Sequence, residues 1–346
     1  MNRNPFTINF GKTPIQYIDR ELVREEIAAE LTDEIIQNNC FMLTGVRGSG
    51  KTVTLTEIEK EFRNDENWIV VSMTPERDML QTLVAKLYDS KDYLKNFLTG
   101  NVNLSKFGVG LNIETVPPTA DLESALEIIL SELKKKKKRL LVTVDEATNS
   151  QYMKEFVASF QLLIRQDMPI FLIMAGLYEN ILDLENEKTL TFLYRTPKYE
   201  MGPLNVTLIQ EKYRQVFDIP REQAYDMAVL TKGYPFAYQV LGKYVFEEKN
   251  HLVTDEVIIK FDIAMATYIY DKIWSELSAV DKWYLKFIAQ KDTIEVSELL
   301  KLTKKKKNEF SQYRARLRNK GIIDVSERGV IRLTLPRFSD YIKANE

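Results

Sequence analysis

The sequence predicts an α/β protein: a parallel sheet with helices on both faces, then an all-helical segment, then a small unit of helices and a hairpin. Three observations carry this. Four short apolar runs, 40–44, 68–73, 140–144 and 170–174, alternate with segments of helical periodicity. The first run leads directly into a glycine-rich loop, 45–52, followed by another helical pattern. The strand-like runs then stop at about residue 206, and the pattern changes once more at about residue 271. The expected division is 1–205 for an N-terminal arm and α/β core, 206–270 for the helical segment, and 271–346 for the C-terminal unit.

The first strand, Cys40-Phe41-Met42-Leu43-Thr44, is an apolar run suited to burial in a parallel sheet. The loop after it, Gly45-Val46-Arg47-Gly48-Ser49-Gly50-Lys51-Thr52, matches G-x-x-x-x-G-K-[ST], the phosphate-cradling loop of nucleotide triphosphatases. Gly45, Gly48 and Gly50 permit positive φ and let backbone N–H groups approach phosphate oxygens. Lys51 brings a point charge to the β- and γ-phosphates, and the Thr52 hydroxyl can ligate Mg²⁺. The helix that begins at Val53 directs the positive end of its dipole at the anion, so 45–53 form the nucleotide-holding set. A chance glycine turn is the alternative, and the flanking strand and helix outweigh it.

Trp68–Met73 is the second strand. Next, Phe107–Ile113 alternates around two glycines and predicts a β-hairpin insertion before Pro117-Pro118. Segment 121–138 puts Leu122, Leu126, Ile129 and Leu133 on one helical stripe, and its closing run Lys134–Lys138 reads as a solvated helix end in preference to a partner patch. The third strand runs Leu140-Leu141-Val142-Thr143-Val144 into Asp145-Glu146. A buried strand ending in an acid pair holds Asp145 at the carboxyl edge of the sheet, where it can bind Mg²⁺ directly or through water. Glu146 is then placed to orient and deprotonate an attacking water. Acid pairs after apolar strands are common; joined to the loop, this one makes a site for ATP or ADP with Mg²⁺. After the fourth strand, Asp183 and Glu185 read as surface carboxylates on a polar helix end.

Composition bounds the rest. A chain of 346 residues with 45% apolar residues can build two or three domains, and its net charge of −2 confines any nucleic-acid site to a local patch. One cysteine and one histidine exclude a disulfide framework and a Cys/His zinc site. Cys40 reads as inert core, and His251, in Lys249-Asn250-His251, as solvated surface. The N-terminus lacks an apolar signal core, and no run reaches the length of a membrane span, so a cytoplasmic protein without a membrane partner is expected.

Residues 277–346 read as a winged helix: a first helix from Leu277 through Trp283, Leu285, Phe287 and Ile288, a second over Thr293–Leu302, and a third over Asn308–Lys320. A hairpin follows, Ile322–Val325 and Val330–Leu335 around the turn Ser326-Glu327-Arg328-Gly329, and Leu335-Pro336-Arg337-Phe338 closes the unit. On the third helix Phe310, Tyr313 and Leu317 form the core stripe. Ser311, Gln312, Ala315 and Asn319 face outward between Arg316 and Arg318. Small neutral groups can approach base edges while flanking arginines reach phosphates. Lys304, Lys305, Lys306 and Lys307 before the helix and Arg328 on the wing extend the basic patch, and between 301 and 320 only Glu309 is acidic. Double-stranded DNA is the expected partner; a protein contact is the alternative use of such a unit.

The loop and acid pair, with Asn4-Pro5-Phe6, Phe10-Gly11-Lys12-Thr13-Pro14 and Ile18-Asp19-Arg20-Glu21 before them, resemble the origin-recognition-like branch of AAA+ ATPases, which borders the STAND-type switch ATPases. The resemblance spans nearly the whole chain. It implies an AAA+-type P-loop NTPase core, with 206–270 as an all-α lid closing over the nucleotide. It implies that the arm lies over the adenine, with Ile18 at the base; Asp19 stands where the family usually has glycine. Arg195, in Thr191-Phe192-Leu193-Tyr194-Arg195, corresponds to an arginine that reaches the γ-phosphate of a neighbouring subunit, which implies a homo-oligomer; a surface arginine paired with Glu185 or Glu187 is the other reading. Gly233-Tyr234-Pro235-Phe236 resembles the lid turn and puts Gly233 and Pro235 at the nucleotide, although proline after glycine is also ordinary helix initiation. The polar sensor that many members carry after the fourth strand is missing at Ala175 and Gly176, with Asn149 as a substitute, and a slow ATPase is expected. The function expected is a Mg-ATP-dependent ATPase coupled to DNA through its winged helix. A STAND-like signalling or scaffolding switch is the alternative.

Overall fold

A computed structural model describes residues 3–9, 13–90 and 119–345. The hairpin expected over 107–113, Pro117-Pro118, and Phe10, Gly11 and Lys12 of the arm lie outside the described residues. The chain divides into two compact units, one of Arg20–Thr44 and Lys51–Glu200, the other of Met1–Asp19, Gly45–Gly50 and Met201–Glu346.

The first unit is built on a parallel sheet of five strands, β1 (Cys40–Thr44), β2 (Trp68–Met73), β3 (Arg139–Val144), β4 (Ile170–Gly176) and β5 (Lys198–Glu200), in the order β2-β3-β4-β1-β5. The four apolar runs are these first four strands, because only residues buried on both faces of a sheet can be continuously apolar. β4 lies between β3 and β1, with Leu172 opposite both Val142 and Cys40. The short β5 escapes sequence reading. It is an edge strand whose Lys198 and Glu200 are exposed, so it carries no apolar run. On one face, Met42, Val142 and Leu172 share a core with the helices Met79–Ser90, Thr119–Lys135 and Gln151–Arg165. On the other, Phe62 of helix Lys51–Arg63 meets Trp68 at 4.6 Å, and Trp68 meets Phe171 at 5.3 Å. Helix Gln151–Arg165 starts where the Ser150 side chain accepts from the Met153 N–H. The helix expected over 121–138 ends at Lys135, and the rest of the lysine run turns back through Lys137 at φ 54°.

In the second unit the helices Val206–Phe217, Arg221–Leu230, Pro235–Glu247 and Asp255–Met265 run on through a π-helical turn, Ala266–Tyr270, and helix Asp271–Ser275. The C-terminal elements are helix Ala279–Ala289, β6 (Thr293–Glu295), helix Val296–Thr303, helix Lys307–Asn319, β7 (Ile323–Asp324), β8 (Val330–Leu333) and helix Phe338–Ala344. Two corrections to the expected order follow. Residues 293–295 are a strand that pairs antiparallel with β8, so the second helix starts only at Val296. The apolar residue of Thr-Ile-Glu is buried between two exposed neighbours, a strand alternation too short to register as one. Past Arg337 the chain forms a further helix, which buries Phe338 and Ile342.

Both parts of this unit share one apolar core, running from Tyr213 and Tyr238 through Ile269 and Tyr270 to Leu285, Phe310 and Phe338. Polar ties cross it as well: Tyr270 donates to the Pro336 carbonyl, and the Arg337 guanidinium donates to both Asp262 oxygens at 2.7 and 2.8 Å. The arm is anchored here. Phe6 is 3% exposed and packs on Phe217, Tyr213 and Tyr238 with ring centroids 5.5–5.9 Å apart. The Thr7 N–H donates to Gln239 at 3.1 Å. His251 is half-buried against Phe217 at 5.2 Å, with Nδ1 3.0 Å from the Val245 carbonyl, which corrects its expected place on the solvated surface. Phe217, far earlier in the chain, and the nearby Phe246 enclose it.

Candidate functional site

The loop divides between the units at Gly50–Lys51. Within the second unit, Gly45–Gly50 has the backbone that its glycines allow: Gly48 sits at φ +74° and Gly50 at φ +93°, the region L-residues avoid. Its surroundings are built by the turn at Gly233–Pro235. Gly233, at φ +74°, sends its carbonyl to the Leu204 N–H at 2.7 Å, and Pro235 is the first residue of helix Pro235–Glu247. This stands the buried Tyr234 beside the loop, where its hydroxyl donates to the Arg47 carbonyl. Burial lifts that hydroxyl far above the usual tyrosine range, with Arg47 opposing, so it remains a donor. A β-carbon on Gly48 would lie 2.5 Å from the Tyr234 oxygen and 3.0 Å from Phe236 Cβ, and Pro235 stands 4.0 Å from the same point on Gly50. The Arg47 guanidinium is 3.7 Å from Glu276, and Val46 packs where Gly321 leaves no room for a side chain. Ser49 is buried, and Ile18 of the arm packs half-buried on the unit's core. Sequence reasoning selected Gly233 and Pro235 but missed Tyr234. A tyrosine between them carries no motif, and its role depends on the fold.

Within the sheet unit, Lys51 opens helix Lys51–Arg63 and is 6% exposed, with Thr52 and Val53 half-buried behind it. The Thr52 hydroxyl donates to Asp145 Oδ2 at 2.8 Å. Asp145 follows the last residue of β3, and its Oδ1 accepts the Glu146 N–H at 3.0 Å. Glu146 stands at φ 54°, a left-handed conformation that turns the chain off the strand and leaves its carboxylate exposed. Thr52 and Asp145 thus offer a hydroxyl and a carboxylate to one point, the hard oxygen donors that Mg²⁺ takes when phosphates and water complete its octahedron. The donor set fits that ion.

At the end of β4, Ala175 is fully buried and its carbonyl accepts the Ala147 N–H at 2.8 Å. A β-carbon on Gly176 would lie 2.8 Å from the Ala147 carbonyl, so no polar side chain fits there. Asn149 is exposed. Arg195 ends a 3-10 turn, Thr191–Arg195, and is exposed; among the described residues it makes no ion pair with Glu185 or Glu187. Glu185 is 4% exposed and is held by Lys198 at 2.6 Å, which corrects its expected place on the surface, whereas Asp183 is exposed. Lys154 lies 3.7 Å from Glu187.

On helix Lys307–Asn319, Phe310 and Leu317 are buried and Tyr313 half-buried, as the core stripe predicts, while Ser311, Gln312, Ala315 and Arg318 are exposed and Asn319, expected to face outward with them, is half-buried. Lys304 to Lys307 and Arg328 are exposed, and Lys305 pairs with Glu309 at 3.1 Å. Arg316 is turned inward: Nη2 lies 2.6 Å and Nε 3.1 Å from Oδ1 of the buried Asp281. Arg318 bonds its neighbour Asn319 at 3.1 Å.

A family model described as a domain of unknown function (DUF8462) matches residues 267–342. No curated protein matches the chain. Among solved structures, the chain is similar to Cdc6p from Pyrobaculum aerophilum, at 12% identity over 97% of this chain and 95% of that one, with a TM-score of 0.48. It is similar to the ADP form of the ORC2 protein of Aeropyrum pernix, at 14% identity over 97% and 96% of the two chains, with a TM-score of 0.49. It is also similar to a STAND protein with a tetratricopeptide repeat sensor from Pyrococcus horikoshii, at 15% identity over 95% of this chain and 43% of that one, with a TM-score of 0.40. Among the described residues no helix is long and apolar enough to cross a membrane.

Proposed function

We propose that this chain is an ATPase of the AAA+ type that binds ATP or ADP with Mg²⁺ and couples its nucleotide state to double-stranded DNA through a C-terminal winged helix. The observation that carries the nucleotide half is the Thr52–Asp145 hydrogen bond, which joins the first turn after the glycine loop to the end of a buried strand. An ordinary glycine turn has no reason to make it. The loop N–H groups and Lys51 would hold the phosphates, and Thr52 and Asp145 the Mg²⁺, which neutralises phosphate charge when bound. Glu146, exposed beside Asp145, would orient and deprotonate water, and Arg195, exposed on its turn, would serve a neighbouring subunit in a homo-oligomer. In equilibrium binding, Lys51→Ala should bind no ATP, while Glu146→Gln should bind ATP and release no phosphate. Turnover by Glu146→Gln at the wild-type rate would remove that residue's role.

The exposed lysines 304–307, Arg318 and Arg328 support the DNA half, with Ser311, Gln312 and Ala315 set to face base edges. The engaged Arg316 favours a second reading, a STAND-like switch whose winged helix contacts protein. A mobility shift on duplex DNA at about 50 and about 200 mM salt separates the two. DNA binding should weaken steeply across that range as counterions are released. No binding at either salt, with or without ATP, rejects the DNA reading.

A further inference from the structure

We propose that Tyr234 is a positioning residue of the phosphate loop: bonded to the Arg47 carbonyl, its hydroxyl fixes the Arg47–Gly48 peptide so that the Gly48 N–H is held ready for a phosphate oxygen. This rests on the nucleotide reading above. A trans peptide is planar, so its C=O and N–H point to opposite sides, and anchoring one aims the other. Aim is what a glycine loop lacks. With Gly48 at φ +74° and Gly50 at φ +93°, the segment has conformational freedom that contacts from outside restrict further.

Tyr234 is a rigid outside contact. It caps helix Pro235–Glu247, its N–H donates to the Thr231 carbonyl at 2.8 Å, its own carbonyl accepts the Tyr238 N–H at 3.0 Å, and it is 5% exposed. The glycine it faces is confined on the same side, by Phe236 at 3.0 Å and Ile269 at 3.2 Å from a β-carbon position. Inside the loop the Ser49 N–H donates to the Val46 carbonyl at 3.2 Å and closes a turn around the Arg47–Gly48 peptide; the contacts of Arg47 with Glu276 and of Val46 with Gly321, from outside the loop, act on side chains. Arg47 is 3.7 Å from Glu276, beyond hydrogen-bond reach, and its buried Nε has no hydrogen-bond partner among the described residues. Val46 is located by contact with Gly321, which does not orient a peptide plane. Tyr234 thus adds to the turn a hydrogen bond from outside the loop, made to the Arg47–Gly48 peptide itself.

The test is equilibrium binding of ATP, inorganic tripolyphosphate and adenosine to wild type, Tyr234→Phe and Glu276→Gln, each read by displacement of a fluorescent ATP analogue. Tyr234→Phe keeps the ring and loses one hydrogen bond, so ATP and tripolyphosphate should both weaken by the same factor, roughly 3- to 10-fold, with adenosine unchanged. Glu276→Gln, which loosens two partly exposed ion pairs, with Arg47 and Lys272, should stay within about twofold for all three. Wild-type affinity for both phosphate ligands in Tyr234→Phe overturns the proposal, as does an equal loss for adenosine. A wild-type chain that binds neither ATP nor tripolyphosphate instead rejects the nucleotide reading itself. Hydrogen exchange on the wild-type chain gives an arm that needs no variant: tripolyphosphate should slow exchange of the Gly48 amide, and unchanged exchange beside protected neighbours overturns the assignment.

Discussion

Replacing Arg316 separates a structural arginine from a DNA-contacting one. Asp281 is 1% exposed, and four donors serve its carboxylate: Arg316 through Nε and Nη2 on Oδ1 at 3.1 and 2.6 Å, and Ser278 through N–H and Oγ on Oδ2 at 3.2 and 2.7 Å. Arg316→Ala strips Oδ1 of both its donors and leaves a buried charge half-served. Breaking a buried ion pair costs about 3–5 kcal/mol when neither side reaches water. Here the arginine side chain is 39% exposed, and water can follow it into the gap, which brings the cost down to about 1.5–3 kcal/mol. The guanidinium also lies 5.1 Å from the Tyr313 ring centroid, a contact worth about 0.5 kcal/mol at a half-exposed site. Urea unfolding should therefore show Arg316→Ala destabilised by about 2–3.5 kcal/mol with an unchanged m-value. Arg318→Ala, exposed and, among the described residues, bonded only to its neighbour Asn319, should stay within about 0.5 kcal/mol. On DNA the order reverses: Arg318→Ala should reduce the salt slope by about one counterion while the fold stays intact. Unchanged stability in Arg316→Ala would refute the claim that Asp281 needs its partner and return Arg316 to the phosphate-contacting set.

Two further perturbations test the architecture. A β-carbon on Gly242 would lie 2.5–2.7 Å from ring atoms of Phe6, so Gly242→Ala should expel the arm's anchor and cost up to the roughly 3–5 kcal/mol expected for Phe6→Ala; equal stability of Gly242→Ala and wild type in a thermal melt would contradict that packing. Burial pushes the Cys40 thiol up to about 12, opposed by a hydrogen bond with Thr196, so it stays protonated through pH 9 and should react with a thiol reagent at pH 8 only after denaturation. Rapid labelling of the native chain would show that β1 is open to solvent.

Most of the sheet was legible because burial on both faces demands unbroken apolar runs, and β1 and β2 begin and end where the runs do. The loop and the acid pair were legible for a related reason: residue types that bind phosphate and Mg²⁺ occur at fixed short offsets from a strand, so local sequence encodes them. What escaped was set by distance. β5 is three residues long with two of them exposed, and only its pairing with β1 makes it a strand. β6 is equally short and exists through β8. Glu185 is buried and pairs with Lys198 of the edge strand, and His251 is half-buried against Phe217, which stands far earlier in the chain.

By itself, then, the sequence determined that this chain has a glycine-rich loop of the G-x-x-x-x-G-K-[ST] pattern, an acid pair after a buried strand, and a basic helix near its C-terminus, each written in consecutive residues. Tertiary structure decided which of those residues have their hands full. Thr52 reaches Asp145 across ninety-three positions, Arg316 turns inward to Asp281 across thirty-five, and Tyr234 reaches the Arg47 carbonyl across one hundred and eighty-seven. Pairings of that range leave no periodicity or motif in the chain. They follow from packing, which brings a donor and an acceptor within 3 Å only once the core has closed around them.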